Sequence, residues 1–77
     1  MTIDEFMRYI APRMRPGWVA MDQDGRWFWH ENKPSKESLK YAWFNYAGKH
    51  MMSNLVSFDI APVDDWTQSL RKVGSNE

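Results

Sequence analysis

The chain has 77 residues, with ten basic and ten acidic side chains, no cysteine, five Trp, three Tyr and four Phe. A chain this short buries only roughly 60–65% of the surface its unfolded form exposes, so it has room for one core and a two-domain reading is unattractive. Zero cysteine excludes disulfides, thiol catalysis and thiolate zinc sites, and the balanced charge leaves no net field drawing the whole protein toward nucleic acid or anionic lipid.

Thr2 and Glu5 have capping-box spacing, and Ile3, Phe6, Met7 and Ile10 form one apolar helical face. Pro12 stops that helix, so residues 1–15 read as a helix and linker. Asp4, Glu5 and Arg8 interrupt its apolar run, which makes it neither a secretory signal nor a membrane span. A cytoplasmic location is the expectation, with no membrane partner.

Gly17–Asp22 and Arg26–Glu31 flank Gln23-Asp24-Gly25 and read as a β-hairpin. A three-residue turn closed by a left-handed Gly25 would pair Asp22 with Arg26 and put Val19, Met21, Trp27 and Trp29 on one face. A two-residue Asp24-Gly25 turn would shift the pairing by one step and change the cross-strand neighbours.

Asn32 to Ser38 is polar and contains Pro34, as a loop does. Ser35 could then cap a helix in which Leu39, Trp43, Tyr46 and Ala47 share a face and Gly48 stands near the end, although Tyr41–Tyr46 also carries strong β-formers. Helix is the preferred reading. Val56, Phe58 and Ile60 alternate along Asn54–Ile60, which reads as a third strand limited by Pro62. Asp64 or Asp65 caps a terminal helix with Trp66, Leu70 and Val73 on one face and Arg71 and Lys72 at its C-terminal end; Gly74 stops it, and residues 74–77 form a flexible tail.

The expected fold is therefore α+β: one domain over residues 1–77, with an antiparallel sheet of about three strands covered by short helices. Phe6, Val19, Trp27, Trp43, Phe58, Trp66 and Leu70 are the expected core.

The order Trp18-Val19-Ala20-Met21-Asp22-Gln23-Asp24-Gly25, Glu31-Asn32-Lys33-Pro34 and Asp65-Trp66-Thr67-Gln68-Ser69-Leu70 resembles short, mostly uncharacterised phage or prophage open reading frames. The pattern spans about two-thirds of the chain. It implies a phage or mobile-element accessory protein and transfers no catalytic assignment to any residue.

Asp22, Asp24, His30 and Glu31 form the most tempting polar cluster, but Asp22-Gln23-Asp24-Gly25 lacks the ligand series of a calcium loop, and His30 and His50 lack metalloprotease spacing. Neither histidine has a sequence-local nucleophile and orienting partner. No catalytic, cofactor or metal site is assigned, and an enzyme is not expected. Trp27-Phe28-Trp29 sends aromatic groups to both faces of a strand, so a sheet with one covered face would expose at least one of them. Trp27, Phe28 and Trp29, with Arg26 and Lys33, are the candidate interaction surface, serving a protein partner or self-association as a homodimer. The alternative is single-stranded nucleic acid, stacked on an exposed aromatic with help from Arg26, Lys33, Lys36 and Lys40. Interleaved Asp22, Asp24, Glu31 and Glu37 weaken the electrostatic case for it.

Overall fold

In the computed structural model, residues 1–35, 43 and 52–74 are described. Helix α1 spans Ile3–Tyr9, and its start is the expected capping box: the Glu5 N–H donates to Thr2 Oγ1 at 3.1 Å and the Thr2 N–H to Glu5 Oε1 at 2.8 Å. A 3₁₀ turn, Ala11–Arg13, takes up Pro12 in its first turn and leads to strand β1, Gly17–Met21. Strand β2 is Trp27–His30, β3 is Met52–Asn54 and β4 is Arg71–Val73, with 3₁₀ turns at Val56–Phe58 and Trp66–Gln68. The four strands form one antiparallel sheet in the order β3-β2-β1-β4.

The hairpin uses the three-residue turn. Gly25 has φ 90, a conformation nearly free for glycine only, and its N–H donates to Asp22 O at 2.9 Å while the Asp22 N–H donates to Arg26 O at 2.9 Å. That register puts Val19 opposite Trp29 and Met21 opposite Trp27. These four side chains are buried on one face with Ile3, Phe6, Ala11, Leu55, Ile60 and Val73. Phe6 meets the half-buried Phe58 edge to face, with centroids 5.5 Å apart. On the opposite face Ala20 and His30 are buried, while Trp18 and Phe28 are half-buried.

Gly17 lets the Trp29 indole cross β1. A Cβ there would lie 2.6 Å from both Trp29 Nε1 and His30 O, and the indole N–H instead reaches Arg15 O at 3.3 Å.

Two elements differ from the sequence reading, so the sheet has four strands rather than three. Asn54–Ile60 is not a strand; only Asn54 of that segment belongs to β3. The Asn54 Oδ1 accepts the Val56 N–H at 2.6 Å, a local bond that competes with the ladder and turns the chain at Leu55. The inward residues become Leu55 and Ile60, while Val56, placed inward by simple alternation, is 76% exposed.

The terminal helix is likewise replaced. Asp65 does cap, accepting the Thr67 N–H at 3.0 Å, but the helical segment stops after Trp66–Gln68. Arg71–Val73 pairs with Gly17–Val19 instead, because the buried ladder outweighs a short stretch of weak helical preference. Val73 is buried as a strand residue opposite Gly17, and Leu70 is half-buried outside the main core.

Beyond the last β1–β4 pair, Val19 with Arg71, the register brings Ser69 opposite Met21. The Ser69 hydroxyl takes over the ladder: Oγ accepts the Met21 N–H at 2.8 Å and donates to Trp66 O at 2.7 Å. Trp43 Nε1 donates to Met21 O at 3.1 Å, and the Trp43 ring stands edge-on to Trp66 with centroids 6.2 Å apart. Two side chains thus satisfy the last backbone groups of β1 where the neighbouring strand has ended. The helix expected from Ser35 to Gly48 lies outside the described residues except for Ser35 and Trp43, as does the tail after Gly74.

Candidate interaction surfaces

Trp27 and Trp29 are each 4% exposed and belong to the core, so neither ring stands free on the surface. The reason is their shared register with Val19 and Met21: the hairpin turns both indoles to the face that α1 and the Leu55–Ile60 segment cover. Phe28 points to the other face and is half-buried. Arg26 is exposed at the turn, where its guanidinium meets the Asp24 carboxylate at 2.7 Å. Lys33 lies near the far end of the hairpin. The residues marked in the sequence therefore do not form one surface.

The aromatic that sequence reasoning passed over is Trp18. It shares the face of Ala20 and His30, pairs with His30 and Lys72, and stays half-exposed. The Lys33 and Lys72 ammonium groups lie 5.3 and 5.7 Å from its ring centroid. Alternation alone puts Trp18 opposite Val19; the contribution of Lys72 required β4, which the helical reading of that segment concealed.

A second surface lies at β3. The Leu55 N–H donates to Trp27 O at 3.0 Å and the register pairs Ser53 with Trp29, so Ser53 bonds inward while the backbone groups of Met52 and Asn54 point away from β2. All three β3 residues are exposed, and among the described residues β3 ends the sheet on that side. Beside it, on the core side, a groove of about 290 Å³ is lined by Met14, Trp29, Leu55 and Phe58, with Arg15, Ser53 and Asn54 at its rim. The Arg15 guanidinium lies 5.3 Å from the Trp29 ring centroid.

The polar cluster does not assemble. Asp22 and Asp24 sit at the turn, and His30 closes the opposite end of β2 beside Trp18. Burial raises the Asp22 carboxyl above the ordinary aspartate range, opposed by the Trp43 N–H that donates to it at 3.0 Å. Bonding to Arg26 holds Asp24 below that range. Among the described residues no three His, Cys, Asp or Glu side chains are grouped to hold a metal ion, and no helix is long and apolar enough to cross a membrane. His50, Lys36, Glu37 and Lys40 lie outside the described residues. Compared with protein-family models, curated proteins and solved structures, the chain matches none.

Proposed function

We propose that the chain is a non-catalytic protein-interaction module, an accessory protein of phage or mobile-element type, that takes an extended peptide of its partner along β3. The observation that carries this reading is the juxtaposition of an exposed, uncharged edge strand with an apolar groove. A strand added to β3 bonds to the outward backbone groups of Met52 and Asn54 and sends alternate side chains to the groove side, the usual logic of strand addition. Three residues span only about 10 Å, which suits a short peptide better than an interface of ~800 Å² per partner between two stable subunits.

Met52→Pro is the direct test, because it removes an outward N–H and leaves the inward bonds of Ser53 in place. Selection from a displayed library of random short peptides should enrich alternating apolar sequences whose binding shifts the amide resonances of Met52, Ser53 and Asn54. Met52→Pro should weaken that binding at least tenfold. Selected peptides that bind elsewhere, or bind the variant equally well, would overturn the reading.

A second reading, single-stranded nucleic acid, draws support from Trp18 between Lys33 and Lys72. Of the described residues first considered for it, Lys33 belongs to this cluster and Arg26 does not. Titration of labelled single-stranded RNA and DNA at low and high salt tests it through saturable, salt-sensitive binding lost in Trp18→Ala.

A further inference from the structure

The formal net charge of zero hides a separation of charge along the strands. The start of β1 lies beside the ends of β2 and β4, and there Lys33 and Lys72 flank Trp18 while Arg15 covers Trp29 from the other face. The Gly74 N–H donates to Ala11 O at 3.0 Å, which brings the last turn of α1, with Arg8, and the following Arg13 toward the same end.

Among the described residues the opposite end is acidic. The hairpin turn carries Asp22 and Asp24, and Pro62 packs beside Gly25, so the segment holding Asp59 and Asp64 runs past the turn. Asp65 caps the 3₁₀ turn whose Trp66 meets Trp43, itself bonded to Asp22. The Ala61 N–H donates to Met1 O at 2.7 Å, which anchors the first turn of α1, with Asp4 and Glu5, at this end as well. Among the described carboxylates only Glu31 lies toward the basic end. Arg26, Arg71 and the Met1 ammonium lie toward the acidic one, where Asp24 engages the first, the carbonyls of Gln68 and Leu70 the second and the Asp59 carbonyl the third.

From this arrangement we infer that copies of the chain associate head to tail, the basic end around Trp18 of one copy seated on the acidic end of the next. A second copy is the occupant because each chain carries both complementary surfaces. Their joining is heterologous, so each copy uses either end once and copies add in a row. Trp18 supplies a large amphipathic contact at the centre of the basic surface, and the charges set orientation and encounter rate. The contact is centred on Trp18, two strands away from Met52 in the row Lys72-Trp18-His30-Met52, and uses charged side chains at the strand ends, whereas peptide docking uses the outward backbone groups of β3.

Sedimentation of the purified chain over a range of concentrations tests this at about 0.01 M salt, where the screening length is ~30 Å, and at about 1 M, where it is ~3 Å. The expected result is a mass that rises with concentration at low salt and returns to monomer at high salt. Lys33→Glu with Lys72→Glu cancels the net positive charge of the basic end, and Asp4→Lys with Asp64→Lys cancels the net negative charge of the acidic one. All four positions are exposed, and near-ultraviolet circular dichroism checks that each variant is folded. Each double variant alone should be monomeric, and an equimolar mixture should associate. Met52→Pro should leave the assembly intact, which separates failure of this inference from failure of the peptide-docking reading. A wild-type chain that stays monomeric at low salt, including one that binds a labelled single-stranded oligonucleotide in place of itself, would overturn head-to-tail association. So would assembly that persists undiminished in both charge-reversed variants.

Discussion

Replacing Ser69 by Ala removes one oxygen from a fully buried position and tests how β1 is closed beyond the end of β4. The lost Oγ accepts the Met21 N–H at 2.8 Å, whereas Trp66 O, to which Oγ also donates, still receives the Ser69 N–H at 3.1 Å and Trp43 Nε1 at 3.3 Å. The cost is therefore dominated by one buried backbone donor left without an acceptor, about 1–3 kcal/mol. For a domain of this size that is a large share of a total stability of roughly 4–12 kcal/mol. It corresponds to about 4–8 °C in Tm for each kcal/mol lost. Urea unfolding followed by tryptophan fluorescence measures the loss, and hydrogen exchange at the Met21 amide reports whether that site opens. A change under about 0.5 kcal/mol with Met21 still protected would refute the assignment of the hydroxyl as the substitute ladder partner.

Gly25→Ala forces a side chain into φ 90 at the hairpin turn and should cost about 1–2 kcal/mol, read as a lower thermal midpoint; an unchanged midpoint would show that the turn does not need the left-handed residue. Asp22→Asn keeps an oxygen for the Trp43 N–H but removes a charge that burial disfavours. Because the folded-state pKa of Asp22 is raised above its unfolded value, the ionised carboxylate lowers stability near neutral pH. That penalty fades as pH falls through the folded value toward the unfolded one. The Asn variant should therefore match or exceed the wild type at pH 7 and lose any advantage in acid, as denaturant titrations across that range would show. A variant markedly less stable at pH 7 would mean that the charge strengthens the Trp43 bond by more than its burial costs.

The parts of this fold that were legible in the sequence are those set by local chemistry. Thr2 and Glu5 cap α1 because their spacing alone lets each side chain reach the other's backbone. Gly25 selects the three-residue turn, and the turn then fixes which four residues face the core. The misread segments are those in which a distant partner decides. Trp66, Leu70 and Val73 have helical spacing, yet Gly17 on β1 offers Val73 a ladder position and a buried site that a short helix cannot match. Val56, Phe58 and Ile60 alternate, but a bond from the Val56 N–H to the Asn54 side chain turns the chain before the alternation can be used.

The same distinction explains where a binding surface was sought and where exposed surface remains. Trp27-Phe28-Trp29 is conspicuous in the sequence because a small domain without disulfides builds its core from large rings. Conspicuousness there reflects packing, since both indoles are covered by α1 and the Leu55–Ile60 segment. What the core leaves uncovered is set by topology: among the described residues β3 falls at the edge of the sheet, and Lys72 falls opposite Trp18 although 54 positions separate them in the chain. Neither position has a local signature. A neutral composition likewise conceals the basic end, because net charge sums over the chain while a partner meets only the charges that the strand register brings together.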